Sequence, residues 1–195
     1  MNAEKHPLLV ELQARHDFPE TDFQRLLELF EERCYKKSET IFSAGEIVKY
    51  TFFILKGCFR QFYINAEGTE RTIYIMEEGR WTGEMASFMN ETPTHMNLQA
   101  LEDCNVLAIT KAKWEYAIRN IPEYSLYHIK NHYRMIAWLK EQLGRAVTEK
   151  PDEIYRRLLK ESPHLLQRLP QYEIAKYLGV TPETLSRIRK RNTRL

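Results

Sequence analysis

The segment QYEIAKYLGVTPETLSRIRKR, residues 171–191, constrains the fold more than any other part of the chain. Its spacing is that of a helix–turn–helix, in which two helices that cross at a tight angle need a small side chain at the crossing. Ala175 is that residue, and Gly179 suits the left-handed backbone of the sharp turn. The inner, apolar face of the predicted pair consists of Ile174, Leu178, Val180, Leu185 and Ile188.

The second helix of this segment has its own start signal. Thr181 is a suitable N-cap, and Pro182 suits the first helical position because its fixed φ and missing N–H cost nothing there. Glu183 follows in the first turn, where the positive end of the helix dipole favours a carboxylate. The sequence therefore predicts a helix that begins at Pro182 and continues to about Arg191.

The exposed side chains of this helix are of the types that read DNA bases. In the major groove, Arg187 could donate two hydrogen bonds to a guanine edge and Glu183 could accept one from a cytosine amino group. Arginine and lysine at the end of the helix would mainly contact phosphate. The predicted DNA contacts are Gln171, Thr181, Glu183, Thr184, Ser186, Arg187, Arg189, Lys190 and Arg191, with Arg194 beyond them. A plain helical hairpin with a basic end remains the alternative.

Charge is distributed unevenly along the chain. Residues 167–195 contain seven Lys or Arg and two Glu, which gives +5, whereas the whole chain carries +2, so the remainder carries −3. A basic module on a mildly acidic body indicates a polyanionic partner for the module. A basic end that serves only solubility is the other interpretation.

Composition narrows the class of protein. The apolar runs are all shorter than the roughly 20 residues that a membrane span needs, and the N-terminal residues lack a secretory pattern. We therefore expect a cytoplasmic protein without a membrane partner. Cys34, Cys58 and Cys104 lie far apart and form no CxxC pair, so we expect buried or half-buried thiols and no metal site.

The middle of the chain predicts a small β-roll. Residues 1–38 read as helical, with Thr21 or Asp22 as a possible N-cap, and from Thr40 to Ile109 short β-branched and aromatic runs alternate with glycines. The run YTFFIL has apolar side chains on both faces, and residues 65–68 form a hairpin loop in which Gly68 supplies a positive φ. Evenly spaced short strands of this kind favour a small barrel or roll.

A long helix without proline is predicted from Tyr124 to Val147. Its apolar stripe, at steps of three and four residues, fits either a core-facing helix or the seam of a coiled-coil dimer. The stripe consists of Leu126, Ile129, Tyr133, Ile136, Leu143 and Val147. Residues 149–152, with Pro151, then mark a boundary. The predicted fold class is α+β, with an N-terminal helix and β-roll at 1–120, a dimerisation helix at 121–149 and a helix–turn–helix domain at 150–195.

Taken together, these features resemble the Crp/Fnr family of bacterial transcription regulators over nearly the whole chain. The motifs that carry the resemblance are FSAGE, FFILKGCFRQFY, EGTER, EEGRWTGEMASF, LEDCNVLAI and TPETLSRIRK. The resemblance implies a homodimer joined along the long helix, with each subunit presenting one recognition helix to half of a near-palindromic site on double-stranded DNA. It also implies RNA polymerase as a partner.

The resemblance further implies where an effector would bind. Gly83 and Glu84 match the glycine and glutamate that hold a cyclic nucleotide in that family, but Thr94, followed by His95, stands where the phosphate-binding arginine would be. A threonine supplies no cation for a phosphodiester. On the long helix, Leu139 and Lys140 occupy the positions that would contact the base. We therefore expect no certain cofactor, a small-molecule effector at this pocket, and no response to cyclic AMP by the usual contacts.

Other family features are absent from the sequence. The clustered N-terminal cysteines of the oxygen-sensing members are missing, and no heme-ligand pair is recognisable. Glu183 and Arg187 match the base-reading glutamate and second arginine of the family, but Pro182 replaces its first arginine, so we expect a different preferred DNA sequence. The family's winged hairpin does not follow before Leu195, from which we expect fewer phosphate contacts.

Two other functional classes remain open on the sequence alone. The chain could be a nucleotide- or small-molecule-binding module with weak or vestigial DNA binding. It could also be an enzyme with a cupin-like cavity, but cupins need several metal-binding histidines on their strands, and His95 is the one histidine between Thr40 and Ile109. We therefore expect a protein that is not an enzyme.

Overall fold

The computed structural model describes residues 5–192. Two short helices, α1 (Pro7–Gln13) and α2 (Glu20–Leu27), precede a β-roll. The roll contains β1 (Glu31–Tyr35), β2 (Thr40–Phe42), β3 (Tyr50–Lys56), β4 (Phe59–Ile64), β5 (Glu70–Met76), β6 (Trp81–Thr82), α3 (Met85–Asn90), β7 (Asn97–Ala100) and β8 (Cys104–Thr110).

The eight strands form two antiparallel four-stranded sheets, with the orders β1-β8-β3-β6 and β2-β7-β4-β5. The β4–β5 hairpin closes at the pair Ile64 and Glu70, and the loop between them places Gly68 at a φ of 78°. The predicted α+β class, the β-roll and the hairpin at residues 65–68 are therefore confirmed.

Strand β3 lies between two cores, which explains why apolar residues occupy both of its faces. Phe52 and Ile54 point into the roll, where they pack with Phe42, Phe59 and Leu98. Phe53 points the other way, into a second core shared with α1, α2 and the start of the long helix. The second core includes Leu8, Leu12, Phe23, Leu26, Tyr124 and Tyr127. Both faces of β3 are covered, as its sequence predicts.

The prediction of helix over residues 1–38 is wrong in its last third. Residues 31–35 form β1, which pairs with β8 from Glu31 opposite Ala108 to Tyr35 opposite Cys104. Pairing with a strand some 70 residues away overrides the local helical pattern, and local sequence does not reveal that partner. The predicted N-caps are also wrong, because α2 begins earlier, with Pro19 at the N-cap and Thr21 and Asp22 inside the helix.

Residues 111–192 form helices joined by short connections. They are α4 (Lys111–Asn120), α5 (Pro122–Thr148), α6 (Pro151–Glu161), α7 (Pro163–Arg168), α8 (Gln171–Leu178) and α9 (Pro182–Asn192). Four of them begin at a proline, the residue that fits the first helical turn without losing a hydrogen bond. The long helix and the helix–turn–helix pair lie where the sequence predicts them, whereas α3 and α7 were not anticipated. Within residues 5–192, no helix is long and apolar enough to span a bilayer.

The three thiols differ in their environments. Cys58 and Cys104 are buried, but Cys34 is exposed, so the expectation of burial is wrong for that residue. Burial raises the pKa of the Cys104 thiol to about 11, and it raises the pKa of Cys58 further. Both buried thiols are therefore protonated and unreactive at neutral pH.

Candidate nucleic-acid interface and effector pocket

The turn between α8 and α9 has the geometry that the sequence indicates. Gly179 adopts a left-handed conformation with a φ of 64°, and the N–H groups of Gly179 and Val180 both donate to the carbonyl of Ala175. Ala175 is buried where the two helices cross. A larger residue at Ala175 or a residue with a Cβ at Gly179 would strain this turn.

Helix α9 has one buried and one open face. Leu185 and Ile188 are buried against α8, whereas Glu183, Ser186 and Arg187 are exposed and Thr184 is half-buried. The Thr181 hydroxyl accepts a hydrogen bond from the Thr184 N–H at 3.3 Å, which confirms the predicted cap. Hydrogen bonds from the Glu183 backbone N–H and from Thr181 lower the pKa of the Glu183 carboxyl, so it is ionised and can accept.

The remaining predicted DNA contacts flank this open face. Gln171 is exposed at the start of α8, and Arg189, Lys190 and Arg191 are exposed at the end of α9. Arg191 also forms an ion pair with Asp152 at 2.8 Å, so it is partly committed within the protein. Arg194 lies outside the described residues.

The helix–turn–helix is docked on the outer face of the roll. Lys176 of α8 pairs with Glu70 of β5 at 2.8 Å, and Arg60 Nε of β4 lies 3.5 Å from Glu173 Oε2. Gly179 lies so close to Arg71 that a Cβ on this glycine would fall 1.1 Å from the guanidinium, and the Arg71 side chain would have to move. Helix α8 is thus fixed against strands β4 and β5.

A second contact joins α7 to the roll. Arg168 donates two hydrogen bonds to Glu78, at 2.8 and 2.5 Å, and one to Glu102 at 2.6 Å. Apolar packing reinforces it, because Cys58 and Leu101 of the roll belong to the same buried cluster as Leu169 and Ile174. The basic residues Arg168 and Lys176, counted in the positive charge of the C-terminal segment, are therefore neutralised by roll carboxylates.

The Arg168–Glu78 pair predicts a specific pH dependence of stability. The Arg168 hydrogen bonds lower the pKa of Glu78 to about 2. A depressed carboxyl pKa contributes stability above the unfolded value of about 4.5, and this contribution disappears as the pH falls towards 2. Glu78→Gln should therefore lower the melting temperature at pH 7, and the difference from the parent should narrow as the pH falls from about 4.5 towards 2. A Glu28→Gln control at an exposed site should show no such convergence. A constant difference between Glu78→Gln and parent across this range would contradict the assignment.

The residues of the predicted effector pocket have structural partners. Gly83 has a φ of 140°, a Cβ on this residue would lie 3.2 Å from the Thr51 hydroxyl, and its carbonyl accepts from Gln61 Nε2 at 2.7 Å. Glu84 caps α3 by accepting from the N–H groups of Ala86 and Ser87 at 2.9 and 2.8 Å. The carboxylate that would hold a ribose is thus engaged at a helix N-terminus.

No fixed cation is supplied by the other predicted pocket residues. Thr94 is buried, and its hydroxyl accepts from the Met96 N–H at 3.1 Å. His95 is exposed, and so are Leu139 and Lys140 on α5. Next to them, Trp138 packs on Tyr74 of β5 with 5.3 Å between ring centroids. A ligand with a phosphodiester would therefore meet no buried positive charge at these positions.

Arg60 lies on the face of β4 that helix α8 covers, and the sequence did not indicate its role there. Its side chain is only 3% exposed, and its guanidinium contacts Glu70 at 2.7 Å, Gln99 at 2.8 Å and the Phe62 ring at 3.9 Å. The alternation in FRQFY places an arginine on the outer face of β4, but the sequence does not show that α8, more than 100 residues later, covers it.

The apolar stripe of α5 is open to solvent in the single chain. All six predicted stripe residues are exposed, including Tyr133 at 72%, Leu143 at 68% and Val147 at 80%. A core-facing helix would bury such residues. The exposed stripe therefore favours the second of the two predictions, an interface with another helix.

Comparison with known proteins agrees with this architecture. Residues 32–120 match the family model of the cyclic nucleotide-binding domain. This part of the chain is similar to the cyclic nucleotide-binding domain family. The matched range runs from the second residue of β1 through β8 and α4, and the helices from α5 onwards lie outside it.

Similar proteins extend the match to the helices that follow this domain. The chain is 25% identical over 184 residues to the "Cyclic AMP receptor protein" of Thermus thermophilus, with 89% of this chain and 82% of that protein covered. Among solved structures, a CooA mutant from Carboxydothermus hydrogenoformans superposes with a TM-score of 0.70 at 20% identity, covering 95% and 84% of the two chains. The catabolite activator protein of Thermus thermophilus gives 0.60 at 23% identity, covering 96% and 87%.

A third structure, the c-di-GMP-responsive regulator CLP of Xanthomonas campestris, gives a TM-score of 0.65 at 16% identity, with 90% and 92% of the two chains covered. The resemblance to Crp/Fnr-type transcriptional regulators is therefore confirmed for the fold: a β-roll like that of cyclic nucleotide-binding domains, a long helix and a C-terminal helix–turn–helix. Apart from the CooA mutant, these proteins are named as a receptor, an activator and a regulator, in agreement with the expectation of a non-enzyme.

Proposed function

We propose that the protein is a sequence-specific DNA-binding regulator of the Crp/Fnr type that acts as a homodimer on a near-palindromic site. The observation that carries the proposal is the open face of α9, where Glu183, Ser186 and Arg187 project away from the buried Leu185 and Ile188. RNA polymerase as a partner and a cytoplasmic location belong to the same proposal.

In this proposal each of the three segments predicted from the sequence has its own role. The roll at 1–120 is the sensor, α5 within 121–149 joins two copies, and the helices within 150–195 read DNA. The exposed stripe of α5 supports the dimer, because an apolar face of this length on a single helix needs a partner in water. Two copies would present two recognition helices to the two half-sites of one DNA site.

The effector of this regulator is not cyclic AMP bound by the usual contacts. Glu84 is occupied as the cap of α3, and Thr94 provides a hydroxyl where an anion needs a cation. We propose a different small molecule as the signal.

Replacement of Arg187 and replacement of Lys190 by alanine should change DNA binding in different ways. Arg187→Ala should weaken binding to the preferred DNA site by about 1–3 kcal/mol and relax the preference at one base pair in each half-site. Lys190→Ala should weaken binding to all sequences alike and reduce its salt dependence, because it would lose a phosphate contact. Fluorescence anisotropy with the preferred site and single-base variants measures both effects. If Arg187→Ala leaves the base preference unchanged, α9 does not read the groove as proposed.

A second candidate, a small-molecule-binding module with vestigial DNA binding, is favoured by one observation. Arg168 and Lys176 are paired with Glu78, Glu102 and Glu70 of the roll, which reduces the positive charge available to DNA. This candidate predicts that the chain is not retained on any duplex even at low salt, whereas the regulator binds with an affinity that falls steeply as salt rises.

A further inference from the structure

The groove between α4 and α5 contains a cavity of about 500 Å³. It lies outside the predicted effector pocket and shares no residue with it. Its lining is mainly aromatic and aliphatic and consists of Trp114, Ile118, Ser125, His128, Ile129, His132, Tyr133 and Ile136. Cavities of this size and composition are typical of small-molecule sites.

Unsatisfied polar atoms are concentrated beside this cavity. Among the described residues, six buried side-chain polar atoms have no hydrogen-bond partner, and four of them belong to three neighbouring residues. These are Trp114 Nε1, the Tyr124 hydroxyl, and both ring nitrogens of His128. Native proteins pair most buried polar atoms with protein groups or water, so a cluster of unpaired ones marks a place where water or a ligand could bind.

His128 is enclosed by aromatic rings and carries no charge at neutral pH. The centroids of Tyr124 and Trp114 lie 4.4 and 5.4 Å from the centroid of its ring. Burial, with the neighbouring His132 as a smaller cause, lowers the pKa of His128 to about 3. The imidazole is therefore neutral, with one N–H donor and one acceptor nitrogen. The perpendicular Tyr124 ring offers that N–H at most a weak acceptor.

We propose that this cavity binds a small, uncharged aromatic molecule that carries one hydroxyl or carbonyl oxygen. The aromatic and aliphatic walls match a flat apolar ring. Trp114 Nε1 and the His128 nitrogens are covered in the free chain, so either ring must turn towards the cavity to donate to a ligand oxygen. The described lining includes no lysine, arginine or carboxylate, so an ionised ligand would be buried without a permanent counter-charge.

The position of the cavity links this ligand to dimerisation. Ile129, Tyr133 and Ile136 belong both to the cavity rim and to the exposed stripe of α5. A second copy lying along the stripe would cover the cavity, and a void of this size is not retained empty in a close-packed interior. This link rests on the homodimer of the proposed function. A ligand that fills the covered cavity should strengthen dimerisation, and dimerisation should strengthen ligand binding by the same factor.

Calorimetric titration of the full chain with 2-naphthol tests the proposal without any DNA. We expect saturable binding, with 2-naphthoate, the charged analogue, binding at least about tenfold more weakly. Ile118→Trp fills the cavity from α4 without touching the stripe and should weaken 2-naphthol binding at least about tenfold. Tyr116→Trp introduces the same side chain at an exposed site on α4 outside the lining and should leave the affinity unchanged.

His128→Leu provides a second readout that does not depend on filling the cavity. Removal of two unsatisfied nitrogens should raise the melting temperature by about 2–4 °C while 2-naphthol binding weakens. A purely structural histidine would not separate stability from binding in this way.

The proposal is overturned by absent 2-naphthol binding, by equal binding of 2-naphthoate, or by unchanged affinity in Ile118→Trp. Binding seen only after the dimer is disrupted would also overturn it, because the partner helix would then fill the cavity in place of a ligand. Loss of DNA binding alone would leave these results unchanged and would count only against the regulator.

Discussion

Leu143→Glu should convert the dimer into monomers and weaken binding to a near-palindromic DNA site by about 100-fold or more. Leu143 is 68% exposed in the stripe of α5, so in a dimer it would lie in the apolar seam, where two glutamates would face each other. A monomer presents one recognition helix and loses the gain in affinity from binding both half-sites at once. Light scattering gives the mass, and fluorescence anisotropy gives the DNA affinity.

Arg134→Glu is the matched control for this substitution. Arg134 is exposed on α5, and nine residues at 100° each place it on the opposite side of the helix from Leu143. The same side chain introduced there should leave the dimer intact. A Leu143→Glu protein that keeps the mass of a dimer, or an Arg134→Glu protein that becomes monomeric, would show that the copies associate through another surface.

Leu185→Ala should destabilise the protein by about 2–5 kcal/mol and abolish DNA binding at temperatures where the parent binds. Leu185 is fully buried in a cluster that joins α9 to Ile174 and Leu178 of α8 and extends to Cys58 and Leu101 of the roll. Because the cluster spans both parts, we expect roll and helix–turn–helix to unfold together in one transition, measured by calorimetry.

The same substitution at an exposed leucine isolates the effect of burial. Leu159 of α6 is 41% exposed, so Leu159→Ala should change the free energy of unfolding by no more than about 0.5 kcal/mol. If Leu185→Ala instead produced two separate transitions, with the roll unaffected, the helix–turn–helix would be an independent domain and its docked position would be weak.

The helix–turn–helix could be predicted from the sequence because its determinants are local. A small residue at Ala175, a glycine at Gly179 and a cap at Thr181 all act within a few residues, and each fulfils the expected role in the structure. The hairpin at residues 65–68 was predictable for the same reason. Strand β1 was not, because its partner β8 lies some 70 residues away.

The docking of α8 on the roll was also beyond sequence reasoning. The ion pairs of Glu70 with Lys176 and of Glu78 with Arg168 connect residues about 100 positions apart, and each looks like an ordinary surface charge in the sequence. The residues of the effector pocket could be located from the sequence, but their contacts could not. Glu84 matches a family position, but only the structure shows that its carboxylate caps α3.

Whether two copies of this chain present α9 to one duplex can be tested directly. The preferred site is selected from random DNA, and the mass of the protein–DNA complex on that site is then measured. We predict an enriched site with two-fold symmetry, half-sites separated by about 34 Å or a multiple of it, and two chains on each duplex. Enrichment of no sequence, or a single chain bound to an asymmetric site, would contradict the proposed dimeric regulator.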